Sequence, residues 1–205
     1  MIRVGAWIYK DLPSEDTLLD LLGEAAFSRL AADHREKAKQ ETLLGFALLT
    51  KIFSEADLLA VRRTDAGRPY FAGRPDVDFS ISHCPNLVVC AVEVGDRPRV
   101  GIDAEPLAEK SADSMQRLSA RWFSLNERKI WEKEPTEKRF LSIWTAKEAI
   151  VKHGGDGLRG LRTIDSIDSD LPLTLTAYSI GNAVVTLASE KGKCAPEQSE
   201  ILLFP

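Results

Sequence analysis

The chain of 205 residues is poor in the residues that build disulfide frameworks or zinc sites. It has only three cysteines, and Cys84, Cys90 and Cys194 form no Cys-x-x-Cys pair. Their odd number and apolar surroundings indicate reduced thiols, which are typical of cytoplasmic proteins. A structural zinc site is not expected.

The chain also lacks a hydrophobic run of membrane-spanning length. Its longest uncharged stretch is TLLGFALLT, residues 42–50, whereas a spanning helix needs about 20 apolar residues. The first residues turn acidic without the apolar core of a signal peptide. We therefore expect no membrane segment, no secretion signal and a cytoplasmic location.

No large excess of positive charge is present either. The formal net charge is -4, and 28% of the residues are charged. A chain of this kind has no overall attraction to nucleic acid or to an anionic membrane. Any binding of phosphate must come from local clusters of basic residues.

Hydrophobic periodicity predicts strands and helices in both halves of the chain. In the first half it predicts a strand over 2–8, a helical pattern over 18–32, a helix over 35–53 and a hairpin of strands over 77–83 and 87–93. In the second half it predicts a strand over 100–105, helices within 112–152 and strands over 171–179, 182–189 and 199–204. We therefore expect the α/β (α+β) class. The charged turn segment GDRPR divides the chain into two halves, residues 1–97 and 98–205.

Two carboxylates share one face of the strand VGIDAEP. Asp103 and Glu105 are two residues apart, and alternate side chains of a strand point the same way. At roughly 6–7 Å and an effective dielectric constant of about 20, their repulsion is about 2–3 kcal/mol. A divalent cation would reverse this repulsion, although a solvated edge strand often carries such a pair as well.

The segment WTAKEAIVK places Trp144, Glu148 and Lys152 on one stripe of a predicted helix. Taken alone, Glu148 and Lys152 are typical of a surface salt bridge, and Trp144 is typical of a core anchor. If Glu148 joins Asp103 and Glu105, three oxygen ligands favour a hard ion such as Mg²⁺ and leave positions open for phosphate.

Polar residues upstream are candidates for contacts with phosphate. Ser82 and His83 end the predicted strand FSISH, and Arg68 lies in the preceding loop GRP. A nucleophilic pair of His83 and Cys84 is not expected, because neighbours on a strand point to opposite faces.

These motifs resemble a known family. FSISH (79–83), GIDAE (101–105) and WTAKEAIVK (144–152), with GRP (67–69) and TLLG (42–45), are similar to segments of the 4′-phosphopantetheinyl transferases. The resemblance is to the larger, monomeric type that activates surfactin synthetase. It also covers RWFSLNE, the segment between the two acidic motifs.

The resemblance implies a fold, a reaction and partners. The fold would be a pseudo-twofold pair of α/β halves, each a small, mostly antiparallel sheet packed with helices, with the active site in the cleft between them. Coenzyme A would be the donor, Mg²⁺ the cofactor, and a serine of an apo acyl or peptidyl carrier protein the acceptor. The leaving group would be 3′,5′-adenosine bisphosphate, and the protein would be a monomer.

Roles for single residues also follow from the resemblance. Glu127 would steer Lys152. The metal ligands would be Asp103, Glu105 and Glu148, and the catalytic residues would be Glu148, Lys152, Asp103 and His83. The residues that hold coenzyme A would be Arg68, Ser82, His83, Thr42, Arg35, Lys39 and Lys152.

Three positions depart from the family pattern, one of which is Cys84 in place of a usual serine. Glu41 stands where an arginine is common, and Asp156 stands where many members have a lysine. The 3′-phosphate would then be held by basic residues of the segment HREKAK, unless these form a solvated helix face. Which basic residues hold it stays open.

Carrier proteins of this kind are usually acidic, and this chain is acidic too. Docking must therefore use a local basic and apolar patch. We expect that patch around Trp122 and Phe123. The basic residues there are Arg117, Arg121, Arg128, Lys129, Lys133, Lys138 and Arg139.

Alternatives remain open for the activity and for the base. The same acidic residues would suit a Mg²⁺-dependent nucleotide phosphohydrolase or nucleotidyl transferase, and a catalytically inactive homologue would only bind coenzyme A. In the transfer reaction, Glu148 would accept the serine proton directly or orient a metal-bound water.

Overall fold

Helices and strands follow one another in runs along the chain, and the α+β class is confirmed. The computed structural model describes residues 1–32, 36–155 and 157–205. The helices are α1 Glu15–Leu22, α2 Glu24–Ala31, α3 Glu36–Ile52, α4 Ala112–Trp122, α5 Leu125–Lys133 and α6 Glu137–Gly154. Among the described residues, no helix is both long enough and apolar enough to cross a bilayer.

The strands match most of the predicted ones in place. They are β1 Ile2–Ile8, β2 Val61–Arg63, β3 Pro69–Phe71, β4 Val77–Cys84, β5 Leu87–Val94, β6 Val100–Pro106, β7 Leu173–Ile180, β8 Ala183–Glu190 and β9 Leu202–Phe204. The predicted hairpin is β4 and β5, which pair antiparallel.

The helical pattern over 18–32 was wrong as a single helix. Gly23 has a φ of 76°, which ends α1 and begins α2. Because a residue without a Cβ adopts this conformation at little cost, the chain changes direction there. The N-cap of α1 is Ser14, whose side chain accepts a hydrogen bond from the N–H of Thr17.

The first sheet has the strand order β4-β5-β1-β9. β5 pairs antiparallel with β1 and β4, and it is buried along almost its whole length, as expected for an apolar run in a central strand. The last predicted strand is shorter than expected, because residues Gln198–Glu200 form a 3-10 turn. β9 pairs parallel with β1 and so joins the sheet of the first half.

The second sheet has the strand order β6-β8-β7, and all its pairings are antiparallel. Helix α6 packs across it. Gly101 of β6 permits this close packing, since a Cβ there would lie 2.1 Å from the carbonyl oxygen of Ala149 and 2.5 Å from the nitrogen of His153. Strand and helix therefore touch through their backbones.

The two sheets share a hydrophobic core. Val89 and Ala91 of β5 pack with Val100 and Ile102 of β6 and Leu187 of β8. The alternate residues of β5 face the helices α1, α2 and α3 instead. A second cluster, formed by α4, α5 and α6, covers the other face of β8. The division at residues 97 and 98 stays a prediction.

Candidate active site at the junction of the two sheets

Polar side chains of β4 join the two sheets at one edge of β6. Asp78, Ser80 and Ser82 are alternate residues of β4, so their side chains share a face. The N–H groups of β6 donate to them, Val100 to Asp78 at 2.9 Å, Ile102 to Ser80 at 3.1 Å and Ala104 to Ser82 at 3.3 Å. These bonds fix the position of β6 along β4, and therefore the position of the acidic residues of β6.

Asp103 lies at the centre of the junction, with an exposed fraction of only 6%. Its Oδ1 accepts hydrogen bonds from Oγ of Ser82 at 2.8 Å and from Nζ of Lys152 at 2.7 Å. Lys152 also donates to Ser82 at 2.8 Å. Oδ2 of Asp103 is buried and has no hydrogen-bond partner among the described residues, although buried carboxylate oxygens are normally paired.

Glu105 and Glu148 lie near Asp103 and experience its charge. Burial raises the pKa of Glu105, and the charge of Asp103 raises it further. Burial is also the largest cause that raises the pKa of Glu148, followed by the charge of Asp103, while Lys152 opposes both effects. Nζ of Lys110 lies 3.6 Å from Oε2 of Glu105.

These carboxylates fit a hard divalent cation by their chemistry. As the side chains stand, no three His, Cys, Asp or Glu residues within the described ranges are grouped closely enough to hold a metal ion. The unpaired Oδ2 of Asp103 and the raised pKa values of Glu105 and Glu148 nevertheless indicate uncompensated negative charge. Oxygen donors of this kind favour Mg²⁺ over softer metals.

A cavity of about 250 Å³ opens beside the acidic residues. One wall is the loop around Arg68, another is the middle of β4 at Phe79 and Ser80, and the third is α6 with Glu148 and Lys152. The cavity therefore brings Arg68, Glu148 and Lys152 to one space, and the binding of a phosphorylated ligand there stays a prediction.

Arg68 is held within the junction itself. Its Nη2 donates to Oδ2 of Asp78 at 2.5 Å and to the carbonyl oxygen of Val100 at 2.9 Å. Burial lowers the pKa of the Arg68 guanidinium, and Asp78 opposes this shift. Arg68 thus links β3, β4 and β6, and its contact with a ligand stays a prediction.

Helix α3 faces the end of β4. Nδ1 of His83 lies 3.3 Å from Oε2 of Glu41, and burial lowers the pKa of His83 while the charge of Glu41 raises it. Thr42 is half-buried on the same helix. Lys39 forms an ion pair with Glu15 of α1, and Arg35, Asp156 and the side chain of Lys37 lie outside the described part of the chain.

The expectation that His83 and Cys84 form no catalytic pair is confirmed. His83 is exposed, whereas Cys84 is 6% exposed and points into the core. Burial raises the pKa of Cys84 to about 12. A thiol in this state is a poor nucleophile.

The expected contact between Glu127 and Lys152 was wrong. Oε2 of Glu127 accepts from Nζ of Lys147 at 2.8 Å, and Oε1 accepts from the N–H of Ser166 at 2.7 Å. Glu127 also caps α5, since Oε2 accepts from the N–H of Ser124 at 2.7 Å. These contacts occupy both oxygens of the Glu127 carboxylate beneath α6. Lys152 pairs with Asp103 instead of Glu148.

Three residues of the junction were missed from the sequence. Asp78 and Ser80 carry a detectable signal, because small polar residues alternate along the otherwise apolar strand VDFSISHC. Lys147 gives no such signal, since a lysine next to Glu148 on a helix is usually solvated. Trp144 was correctly expected to pack, and its ring lies 6.1 Å from that of Phe140 at 11°.

The comparisons with known proteins point to one family. The family described as the 4′-phosphopantetheinyl transferase superfamily matches residues 99–191, which include Asp103, Glu105, Glu148 and Lys152. The chain is 29% identical over 202 residues to the 4′-phosphopantetheinyl transferase Sfp of Bacillus subtilis (strain 168), covering 84% of this chain and 85% of that relative.

Two further relatives carry the same description. A 4′-phosphopantetheinyl transferase of Bacillus subtilis is 27% identical over 163 residues, covering 74% of this chain and 70% of that relative. The 4′-phosphopantetheinyl transferase AcpT of Salmonella typhi is 34% identical over 128 residues, covering 60% and 62%. The similarity thus extends beyond the acidic motifs.

Proposed function

We propose that this chain, an enzyme of the 4′-phosphopantetheinyl transferase superfamily, uses coenzyme A as donor and Mg²⁺ as cofactor. The acceptor is a serine of an apo acyl or peptidyl carrier protein. The serine oxygen forms a new bond to the phosphorus that carries pantetheine, the bond to the other phosphate breaks, and 3′,5′-adenosine bisphosphate leaves with the electron pair.

The observation that carries this proposal is the set of three carboxylates Asp103, Glu105 and Glu148, whose charges influence one another and of which Glu148 also lines the cavity. Oδ2 of Asp103 is unpaired, and Glu148 lines both the acidic cluster and the cavity. These three carboxylates would hold the cation. When bound, the cation neutralises charge on the pyrophosphate and polarises the phosphorus.

Basic side chains of this chain bind and orient the donor. Lys152 lines the cavity, and its ammonium group lies 2.7 Å from Oδ1 of Asp103. Because an ammonium group has three N–H donors, it can also bind a phosphate oxygen beside the cation. Ser82 holds Lys152 and Asp103 in place through its hydroxyl group. His83 lies at the end of β4, where its imidazole can donate to a second phosphate.

Glu148 is the group best placed to receive the proton of the carrier serine. Its raised pKa brings it closer to the pKa that suits a general base at neutral pH. It accepts this proton directly, or it orients a water that does so. A cation bound to Glu148 would lower this pKa again and favour the route through water.

The test is a transfer assay with purified protein, coenzyme A, Mg²⁺ and a panel of apo carrier proteins. We expect each served carrier to gain the mass of one phosphopantetheine group, and Asp103→Ala and Glu148→Gln to abolish the gain. Glu24→Gln, on the exposed start of α2, is the matched control and should keep the activity.

Other outcomes would identify a different function. Release of phosphate or pyrophosphate from nucleotides without a carrier would identify a phosphohydrolase. Binding of coenzyme A without a mass gain on any carrier would identify an inactive binding protein. A variant of Asp103 or Glu148 with a near-normal rate would remove that residue from the metal site.

A further inference from the structure

Two arginines from different parts of the chain lie against one tryptophan. Trp122 ends α4, and the guanidinium carbons of Arg121 and Arg162 lie 4.9 and 5.1 Å from the centroid of its ring. Both arginines are exposed, and Trp122 is half-buried. We refer to Arg121, Trp122 and Arg162 as the Trp122 stack.

The charges of the Trp122 stack are not neutralised by any carboxylate that the structure describes. Neither Arg121 nor Arg162 has a carboxylate partner within 4.0 Å in the described ranges. By contrast, Arg128 lies 3.7 Å from Glu132, and Arg139 pairs with Glu134. A guanidinium that rests on an aromatic face keeps its N–H groups free for a bidentate bond with a carboxylate.

The loop that carries Arg162 is fixed to the interior. Lys147 donates to the carbonyl oxygen of Ile164, and the N–H and hydroxyl groups of Ser166 donate to Oε1 of Glu127 at 2.7 and 2.8 Å. Because Lys147 lies on α6 next to Glu148, these contacts hold Arg162 at a set position relative to the acidic cluster. Such preorganisation lowers the entropic cost of docking.

Exposed apolar side chains lie on the next helix. Leu125 at the start of α5 has an exposed fraction of 74%, and that of Ile130 is 36%. An apolar centre beside charged groups with free donors is the usual composition of a protein-binding surface. A small anionic ligand would not need the exposed apolar side chains of Leu125 and Ile130.

The stack is connected to the acidic cluster through packed aromatic rings. Phe123 follows Trp122 in the chain and stacks on Phe140 at 5.0 Å, and Phe140 stacks on Trp144 at 6.1 Å. Trp144 lies one helical turn before Glu148. Packed aromatic rings therefore connect the stack with the helix that carries Glu148.

We infer that the Trp122 stack recognises carboxylates on the acidic carrier protein, with Arg121 and Arg162 as the residues that determine carrier affinity. This inference rests on the proposed function. It adds Arg162 to the basic patch expected from the sequence. It also ranks Arg121 and Arg162 above Arg128 and Arg139, whose charges are already paired.

The experiment compares the double variant Arg121→Glu/Arg162→Glu with the unmodified protein in the carrier transfer assay. We expect the KM for the carrier to rise about tenfold or more, while kcat and the KM for coenzyme A change less than about twofold. The kcat/KM for the carrier should also become less sensitive to salt, because the attractive charges are gone. Circular dichroism checks the fold of each variant.

The matched control is Lys51→Glu/Arg62→Glu, which changes the net charge equally on other exposed surfaces. It should leave the KM for the carrier within about twofold. An unchanged KM for the carrier in the Arg121/Arg162 variant would overturn the inference, as would a larger effect of reversing Arg128 and Arg139. A rise in the KM for coenzyme A alone would identify the stack as a phosphate contact instead.

Failure of the proposed function has a different signature. If the unmodified protein transfers nothing to any carrier, the proposed function fails before the variants are compared. If it transfers normally and the double variant does too, only the role of the Trp122 stack fails.

Discussion

The ammonium group of Lys147 donates to Oε2 of Glu127 at 2.8 Å, and neither side chain is exposed to solvent. Both residues lie directly beneath the candidate site, since Lys147 precedes Glu148 on α6. The other contacts of Glu127 reach Ser124 and Ser166. One buried ion pair thus sets the rotation of α6 and the position of the loop that follows it.

Replacing Lys147 by methionine should destabilise the protein strongly. The change leaves the Glu127 carboxylate buried without its cation, and a broken buried pair costs about 3–5 kcal/mol. The free energy of unfolding from denaturant titration measures this cost. The double variant Lys147→Met/Glu127→Gln should recover part of it. A loss below about 1 kcal/mol in the single variant would contradict the importance of the pair.

Gly101→Ala should weaken both the fold and the proposed metal site. The new Cβ would meet the backbone of Ala149 at 2.1 Å, so β6 and α6 must separate, at a cost of about 1–3 kcal/mol or more. Because β6 carries Asp103 and α6 carries Glu148, calorimetric affinity for Mg²⁺ should fall as well.

The control for that variant is Gly160→Ala. A Cβ there would meet Ile164 at 3.5 Å and Val151 at 3.7 Å, which is ordinary contact. We expect a change in the free energy of unfolding below about 1 kcal/mol. Equal effects of the two substitutions would refute the close packing of β6 on α6.

Glu148→Gln should raise the thermal stability of the metal-free protein at neutral pH. Folding raises the pKa of Glu148 through burial and through Asp103, so its ionised form is disfavoured in the folded state. The destabilisation is complete above the folded pKa and vanishes as the pH falls below the ordinary value of 4.5. We expect Tm to rise by about 2 °C at neutral pH.

Calorimetry at a series of pH values tests whether Glu148→Gln raises the Tm as expected. The gain in Tm should shrink towards acidic pH, and the increase in Tm that Mg²⁺ causes in the unmodified protein should be smaller in Glu148→Gln. If the variant is less stable than the unmodified protein at neutral pH and more stable in acid, the pKa of Glu148 is not raised by folding.

Glu41→Gln should lower the pKa of His83 further. Burial already lowers that pKa, and the carboxylate of Glu41, 3.3 Å from Nδ1, opposes the shift. Removing the negative charge leaves the neutral imidazole favoured to a lower pH. An NMR titration of the His83 ring protons measures the change. A higher pKa in the variant would show that Glu41 does not face the imidazole.

Only one of the three thiols should react rapidly with a thiol reagent in the folded protein. Cys194 is exposed, whereas Cys84 and Cys90 are buried. Burial raises the pKa of Cys84 to about 12 and that of Cys90 higher still. Three reactive thiols are expected only after denaturation, and Cys194→Ser should abolish the fast phase. Two fast-reacting thiols in the native state would contradict the burial of β4 and β5.

Local patterns allowed much of the architecture to be predicted. β1, β4, β5 and β6 follow from apolar alternation or short apolar runs, and the break at Gly23 could have been predicted from glycine inside a helical pattern. The partner of β9 could not, because pairing with β1 is set by packing of the whole chain rather than by residues near Leu202.

The candidate site was predictable in its residue types but less so in its contacts. The family resemblance implied that Asp103, Glu105 and Glu148 converge, and the charge of Asp103 helps to raise the pKa values of Glu105 and Glu148, which agrees with that. It did not predict that Glu127 pairs with Lys147, since a glutamate 20 positions away has many competing lysines. The contact between Arg162 and Trp122 was not predicted either, because the two residues lie far apart in the chain.

The parallel pairing of β9 with β1 has a consequence for biosynthesis. Residues 9–201 emerge from the ribosome between these two strands, because β1 ends at Ile8 and its parallel neighbour β9 begins at Leu202. The β1 edge of the nascent first sheet is therefore uncovered while the second sheet and its helices are being translated. During that interval the uncovered edge of β1 can pair with a strand of a neighbouring nascent chain. Once β9 has been synthesised, it covers this edge.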